Sequence, residues 1–184
     1  MSHYGKNTLK IIIWKYRCFI CIVRAMNDTK TSRKKPQGSK IARATAARLA
    51  AVQAVYQMLA NNQSAQSVIS EYRLHRLGQA VDGVEMVTPD GVLFQKVVEG
   101  VYDRLNTLEE MLGAAFQKSN KTRPSEPLLM AVLLCGAYEL LMNTEVDAPV
   151  ILSDYLNVTH AFYETGESKL VNALLDAIKK AVRG

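Results

Sequence analysis

Acidic residues are nearly absent from the first seventy positions of this chain. Asp28 stands alone there against twelve Lys or Arg, whereas residues 71–184 hold the other 11 basic residues and 16 acids. The net charge of +6 therefore divides into about +11 on the first part and about −5 on the second. A front end so poor in acid suits contact with a polyanion, and the remainder has the charge balance of an ordinary globular body. The same composition also fits a solvated basic tail with no partner. Cysteine is scarce and odd in number, at three, which argues against a disulfide framework. Cys18 and Cys21 have CxxC spacing, but no second pair of Cys or His completes a tetrahedral zinc set, so no metal is expected. Cys135 sits among apolar neighbours and reads as a small buried hydrophobe.

Other things are missing too. The apolar residues of positions 1–25 are interrupted by Lys15 and Arg17, too short and too charged a stretch to span a bilayer. It has no A-x-A-like cleavage site, which argues against a signal peptide. A cytoplasmic protein with no membrane partner is expected. There is no GxGxxG after a strand, no phosphate-binding loop of the GxxxxGK[ST] type, no HExxH and no GxSxG. No cofactor and no catalysis are expected. His3, His75 and His160 are scattered; His160 shares a short polar set with Asp154 and Asn157, and a structural or solvated role is the simpler reading. Glu139 is an acid in an otherwise apolar stretch, and reads as a buried carboxylate held by Tyr or Arg hydrogen bonds.

What is present is helix. Residues 1–40 read as a disordered or poorly ordered basic extension that includes Lys30, Arg33, Lys34, Lys35 and Lys40. Within it, Met26 reads as the physiological start, the competing reading of 1–25 being an amphipathic surface anchor. Residues 41–184 read as one helical domain. Ser39 or Gly38 starts a helix to Ala60, with Leu49, Val52, Tyr56 and Leu59 on one face and Arg43 and Arg48 off it. Ser64 caps a second helix carrying Val68, Ile69, Tyr72 and Leu77, with Gly78 as its stop. A loop covers 79–88.

Thr88-Pro89 then opens a long helix whose stripe runs Phe94, Val98, Val101, Leu105, Leu108, Leu112, Phe116 over about six turns. Ser125-Glu126-Pro127 starts a helix that is apolar almost all round, hence central. Asp147 or Thr144 caps the next, with Ile151, Tyr155, Val158 and Phe162 inward. After a turn at Thr165-Gly166, the last helix carries Leu170, Val171, Leu174, Leu175, Ile178 and Val182. No segment alternates like a strand. The expected class is all-α, a compact bundle of six or seven helices.

Four motifs then carry a resemblance. Ala51-Val52-Gln53-Ala54-Val55-Tyr56, the Phe94–Val101 segment with Glu99-Gly100-Val101, Ala137-Tyr138-Glu139-Leu140, and Leu170-Val171-Asn172-Ala173-Leu174-Leu175-Asp176 resemble, in order and spacing, those of the NusB family of transcription antitermination factors. The resemblance covers residues 40–182. It implies binding of boxA single-stranded RNA and of the ribosomal protein NusE within transcription elongation complexes, notably on ribosomal RNA operons. It further implies RNA contacts at Arg43 and Arg48 with Lys40 adjacent, and at Glu167, Ser168, Lys169 and Leu170; the charge of the arm adds Lys34 and Lys35 to the RNA-binding candidates. Tyr56 matches a partner-facing tyrosine, with a core tyrosine as the other reading.

The chain departs from the family pattern at Leu49, Leu134 and Leu170, and in the charges of Leu152–His160. An alternative is a non-catalytic RNA-binding domain related to the N-terminal module of RNA cytosine methyltransferases. Self-association into a homodimer is a further alternative that the sequence leaves open.

Overall fold

The computed structural model describes residues 38–77, 87–163 and 165–184, with only the backbone of Thr165. Seven helices and no strand occur among the described residues. They are α1 Lys40–Asn61, α2 Ala65–His75, α3 Gly91–Asp103, α4 Leu105–Lys118, α5 Pro127–Met142, α6 Ala148–His160 and α7 Thr165–Val182. The all-α bundle expected from the pattern is what forms.

Local chemistry explains the boundaries. Ser39 caps α1, its Oγ accepting from the Ala42 N–H at 3.1 Å. Gly38 before it has φ +57, and a Cβ there would lie 2.7 Å from Val87 Cγ1, so both conformation and space require glycine. Asn62 ends α1 in the left-handed region at φ 52 and returns its N–H to Met58. Ser64 caps α2 as expected, accepting from Ser67 N–H at 3.3 Å. The Gly78 stop and the loop to residue 86 lie outside the described residues.

Three boundaries differ from the sequence reading. Asp90, two residues past Thr88, caps α3: its Oδ1 accepts from Val92 and Leu93 N–H at 3.0 and 3.1 Å. A carboxylate reaches two orphan donors and suits the positive helix end better than a hydroxyl. The single long helix is two, broken at Arg104 (φ −118, ψ 21). The stripe survives because periodicity reports faces and not helix continuity, and only Arg104 leaves helical geometry between the two. Thr165 and Gly166 belong to α7, which begins at Thr165.

Helix α5 is the hub. Leu128 to Leu140 are all buried, and α5 packs against α1, α3, α4, α6 and α7. Two glycines permit the closest approaches. A Cβ on Gly100 of α3 would fall 2.0 Å from Tyr138 Cζ, so the tyrosine ring occupies the place of a side chain. A Cβ on Gly136 would meet Leu175 Cδ1 of α7 at 2.8 Å. The expected inward residues Ile151, Tyr155, Val158, Phe162, Val171, Leu174, Leu175 and Ile178 are all buried. Cys135 is also fully enclosed.

Candidate nucleic-acid interface

The start of α1 presents the described part of the cationic arm. Lys40 is exposed and Arg43 half-buried. The Arg43 Nε donates to the Thr88 carbonyl at 3.3 Å, and the Asp90 N–H donates to the Arg43 carbonyl at 3.1 Å. These two bonds seat the first turn of α1 against the entry to α3. Neither Lys40 nor Arg43 makes an ion pair among the described residues. Lys34 and Lys35 lie outside the described residues.

Arg48 is a correction. It is 2 % exposed, with Nη2 2.7 Å from Glu139 Oε2 and Nη1 2.6 Å from Asp154 Oδ2. Its Nε donates to both Glu139 oxygens at 3.0 and 3.1 Å. Asn143 and Tyr155 each reach Glu139 at 3.4 Å, and Thr45 Oγ1 donates to Asp154 at 3.3 Å. Burial alone would lower the Arg48 pKa, but Glu139, Tyr155 and Asp154 together outweigh it and the net shift is upward. This guanidinium is spent inside the protein, joining α1, α5 and α6, and has no surface to offer a phosphate. The expectation for Glu139 holds: Arg and Tyr hold it in the core. Tyr155 is pushed well above the ordinary tyrosine range, first by its burial and then by Glu139.

The four candidates at the start of α7 divide by exposure. Lys169 is exposed, Glu167 half-buried, Ser168 only 7 % exposed, and Leu170 half-buried against the core. Ser168 and Leu170 thus face the protein more than the solvent, and a base stacked on Leu170 is not what this packing offers. Tyr56 is half-buried and packs on the core. It shares its neighbourhood with Tyr163, whose hydroxyl is pushed upward by burial and the Glu126 carboxylate, with smaller contributions from Glu167 and Tyr56. The starts of α5 and α7 therefore gather beside the C-terminal part of α1.

The opposite ends also meet. Arg183, just past α7, donates to the carbonyls of Glu139, Leu140, Asn143 and Val146 at 2.7–3.0 Å. Helices α5 and α7 therefore run side by side in the same direction, and α1 runs against them. Arg43 and Tyr56 are separated by about 20 Å along α1 at about 1.5 Å per residue. The two sets of candidates do not converge on one spot. They mark two ends of a surface.

His160 and Asn157 are exposed while Asp154 turns inward, so the short polar set of α6 is not a site. Among the described residues no group of three or more His, Cys, Asp or Glu could hold a metal ion. No helix among them is long and apolar enough to cross a membrane.

Comparison with known proteins places this geometry in a lineage. The sequence model described as the NusB family matches residues 45–180. The transcription antitermination protein NusB of Rhizobium rhizogenes (strain K84 / ATCC BAA-868) is 40% identical over 139 residues, 76% of this chain and 87% of that protein. The protein of the same name from Rhizobium etli (strain ATCC 51251 / DSM 11541 / JCM 21823 / NBRC 15573 / CFN 42) is 38% identical over 159 residues, 86% of this chain and 98% of its own length. Among solved structures, NusB of T. maritima superposes with a TM-score of 0.57 at 17% identity, covering 74% of this chain and 89% of that one. At that identity the likeness speaks for the fold.

Proposed function

The chain belongs to the NusB family, and from that premise we propose that it acts in transcription antitermination by binding boxA-type single-stranded RNA together with the ribosomal protein NusE, notably during ribosomal RNA transcription. The observation that carries this reading is the start of α1. Lys40 and Arg43 stand there with no ion pair among the described residues, at the end of an arm that includes Lys34 and Lys35. The buried Arg48 network holds the helix that presents them. Each such cation that neutralises a phosphate releases counterions and strengthens binding. Residues 27–40, basic and almost without apolar side chains, can order on unpaired RNA as they bind.

Lys169 and Glu167 extend the RNA face to the start of α7, and Tyr56 offers an amphipathic ring to the NusE partner. The role is that of a binding adaptor in the elongation complex, located in the cytoplasm, with no catalysis of its own.

Fluorescence anisotropy with a boxA-type strand, with and without NusE, tests the reading. Binding should fall as salt rises. Lys40→Ala with Arg43→Ala should weaken it and make the log–log salt slope shallower by about 0.7 for each phosphate left without its cation. Equal binding of boxA and scrambled strands would reduce the arm to a non-specific tail.

A further inference from the structure

We propose that the α4–α5 loop, Lys118 to Arg123, is a second cationic contact for the nucleic acid, at the end of the bundle away from Lys40 and Arg43. The inference rests on the RNA-binding reading above. It starts from composition: Lys118-Ser119-Asn120-Lys121-Thr122-Arg123 holds three cations and no acid, inside the part of the chain that is net negative.

The loop is built. Ser119 N–H returns to the Ala115 carbonyl at 3.0 Å, Asn120 N–H to Gln117 at 3.1 Å, and Lys121 N–H to Phe116 at 3.0 Å. Asn120 takes φ 48, the left-handed value that closes such a turn. Phe116, on which the turn folds back, is buried. Lys118 and Lys121 are thus presented on a fixed turn, and both are exposed. Arg123 is engaged by Glu109 at 2.7 Å. Lys118 and Lys121 make no ion pair among the described residues.

Position gives the loop its partner. It leads into α5 at Glu126, the end where Tyr163 and Glu167 gather and where Lys169 is exposed. The carboxylates of Glu126 and Glu167 lie near that tyrosine. The other cations begin about 20 Å away along α1. A folded acidic protein would need its charges matched to both clusters. An extended single strand carries a charge at every nucleotide and can touch both while lying along the surface. Lys118 also sits in the last turn of α4, where a cation favours the helix dipole. That role would show in stability. A phosphate contact shows in the salt slope.

The experiment uses the full chain, a labelled boxA-type strand, and the same strand extended at either end by unstructured uridines. Lys118→Ala with Lys121→Ala should lower affinity for an extended strand severalfold and make its salt slope shallower by about 0.7 for each phosphate no longer neutralised. The melting temperature should hold, and Lys118→Arg with Lys121→Arg should restore binding. Unchanged affinity and slope for every strand, while the Lys40 and Arg43 variants still bind more weakly, would overturn the loop alone. Failure of the wild-type chain to bind any strand would overturn the RNA-binding reading and this inference with it. A lower melting temperature with the salt slope intact would return Lys118 to a purely structural role.

Discussion

Arg48 meets two carboxyl groups with one guanidinium in an interior shared with Tyr155, Asn143 and Thr45. Removing the cation strands both acids. Arg48→Ala should therefore cost about 3–5 kcal/mol, far more than a surface arginine. Urea denaturation measures it, and a change below about 1 kcal/mol would mean the network is solvated. Half of this arrangement is visible in the sequence. Glu139 is legible because an acid in an apolar helix demands a partner. Arg48 is not, because the spacing of large apolar residues marks one stripe on α1 while residues 47–55 are buried on every side, leaving no outer face for it.

A second consequence at this scale concerns pH. Burial pushes the Cys135 thiol and the Tyr155 hydroxyl well above their ordinary values. Unfolded, these groups release protons near pH 8.5 and 10, as ordinary thiols and phenols do to within about a unit; folded, they retain them. The denatured chain then binds fewer protons, so stability should decline as pH rises through about 9 to 11. Cys135→Ala should flatten the early part of that decline in denaturation curves collected across the range.

Among the helices, α5 sets the terms for its neighbours. Leu133 is fully enclosed, and Leu133→Ala should cost about 2–5 kcal/mol through the cavity it leaves. Gly100→Ala attacks the same helix from outside, since the new methyl must displace the Tyr138 ring. About 1–3 kcal/mol is expected, and combining it with Tyr138→Ala should cost less than the sum of the two. Additivity in thermal melts would show that the ring moves aside freely. Existence and order of the helices are readable from apolar spacing, and Ser39, Ser64 and Pro127 mark starts correctly. The break at Arg104 has no proline or glycine to announce it. The motif glycine at 100 is visible as a residue; its reason, an aromatic ring from another helix, belongs to packing.

Over the whole molecule, cationic groups occupy two ends of one bundle, with α1 as the ruler between them. Most of the candidate site is legible as charge and little of it as geometry. Composition points to Lys40 and Arg43 and the family resemblance to Lys169, but whether their helices run together or in opposition is decided by bonds such as those of Arg183 to the end of α5. Among the described residues the buried core runs from Ala47 to Ile178. The apolar run of residues 1–25 is broken by Lys15 and Arg17, so deleting that segment should leave the melting temperature unchanged, checked by circular dichroism; a drop of several degrees would give it a place in the fold.

The distance in sequence between Arg48 and its partners, 91 residues to Glu139 and 106 to Asp154, imposes a schedule on the ribosome. At about 5–20 residues per second of synthesis, α1 waits several seconds or more for the acids that let it be buried. Until then its apolar faces and its guanidinium lack their native partners. The chain should therefore remain protease-sensitive through most of its translation and close in one late step, once α5 and α6 have both left the exit tunnel.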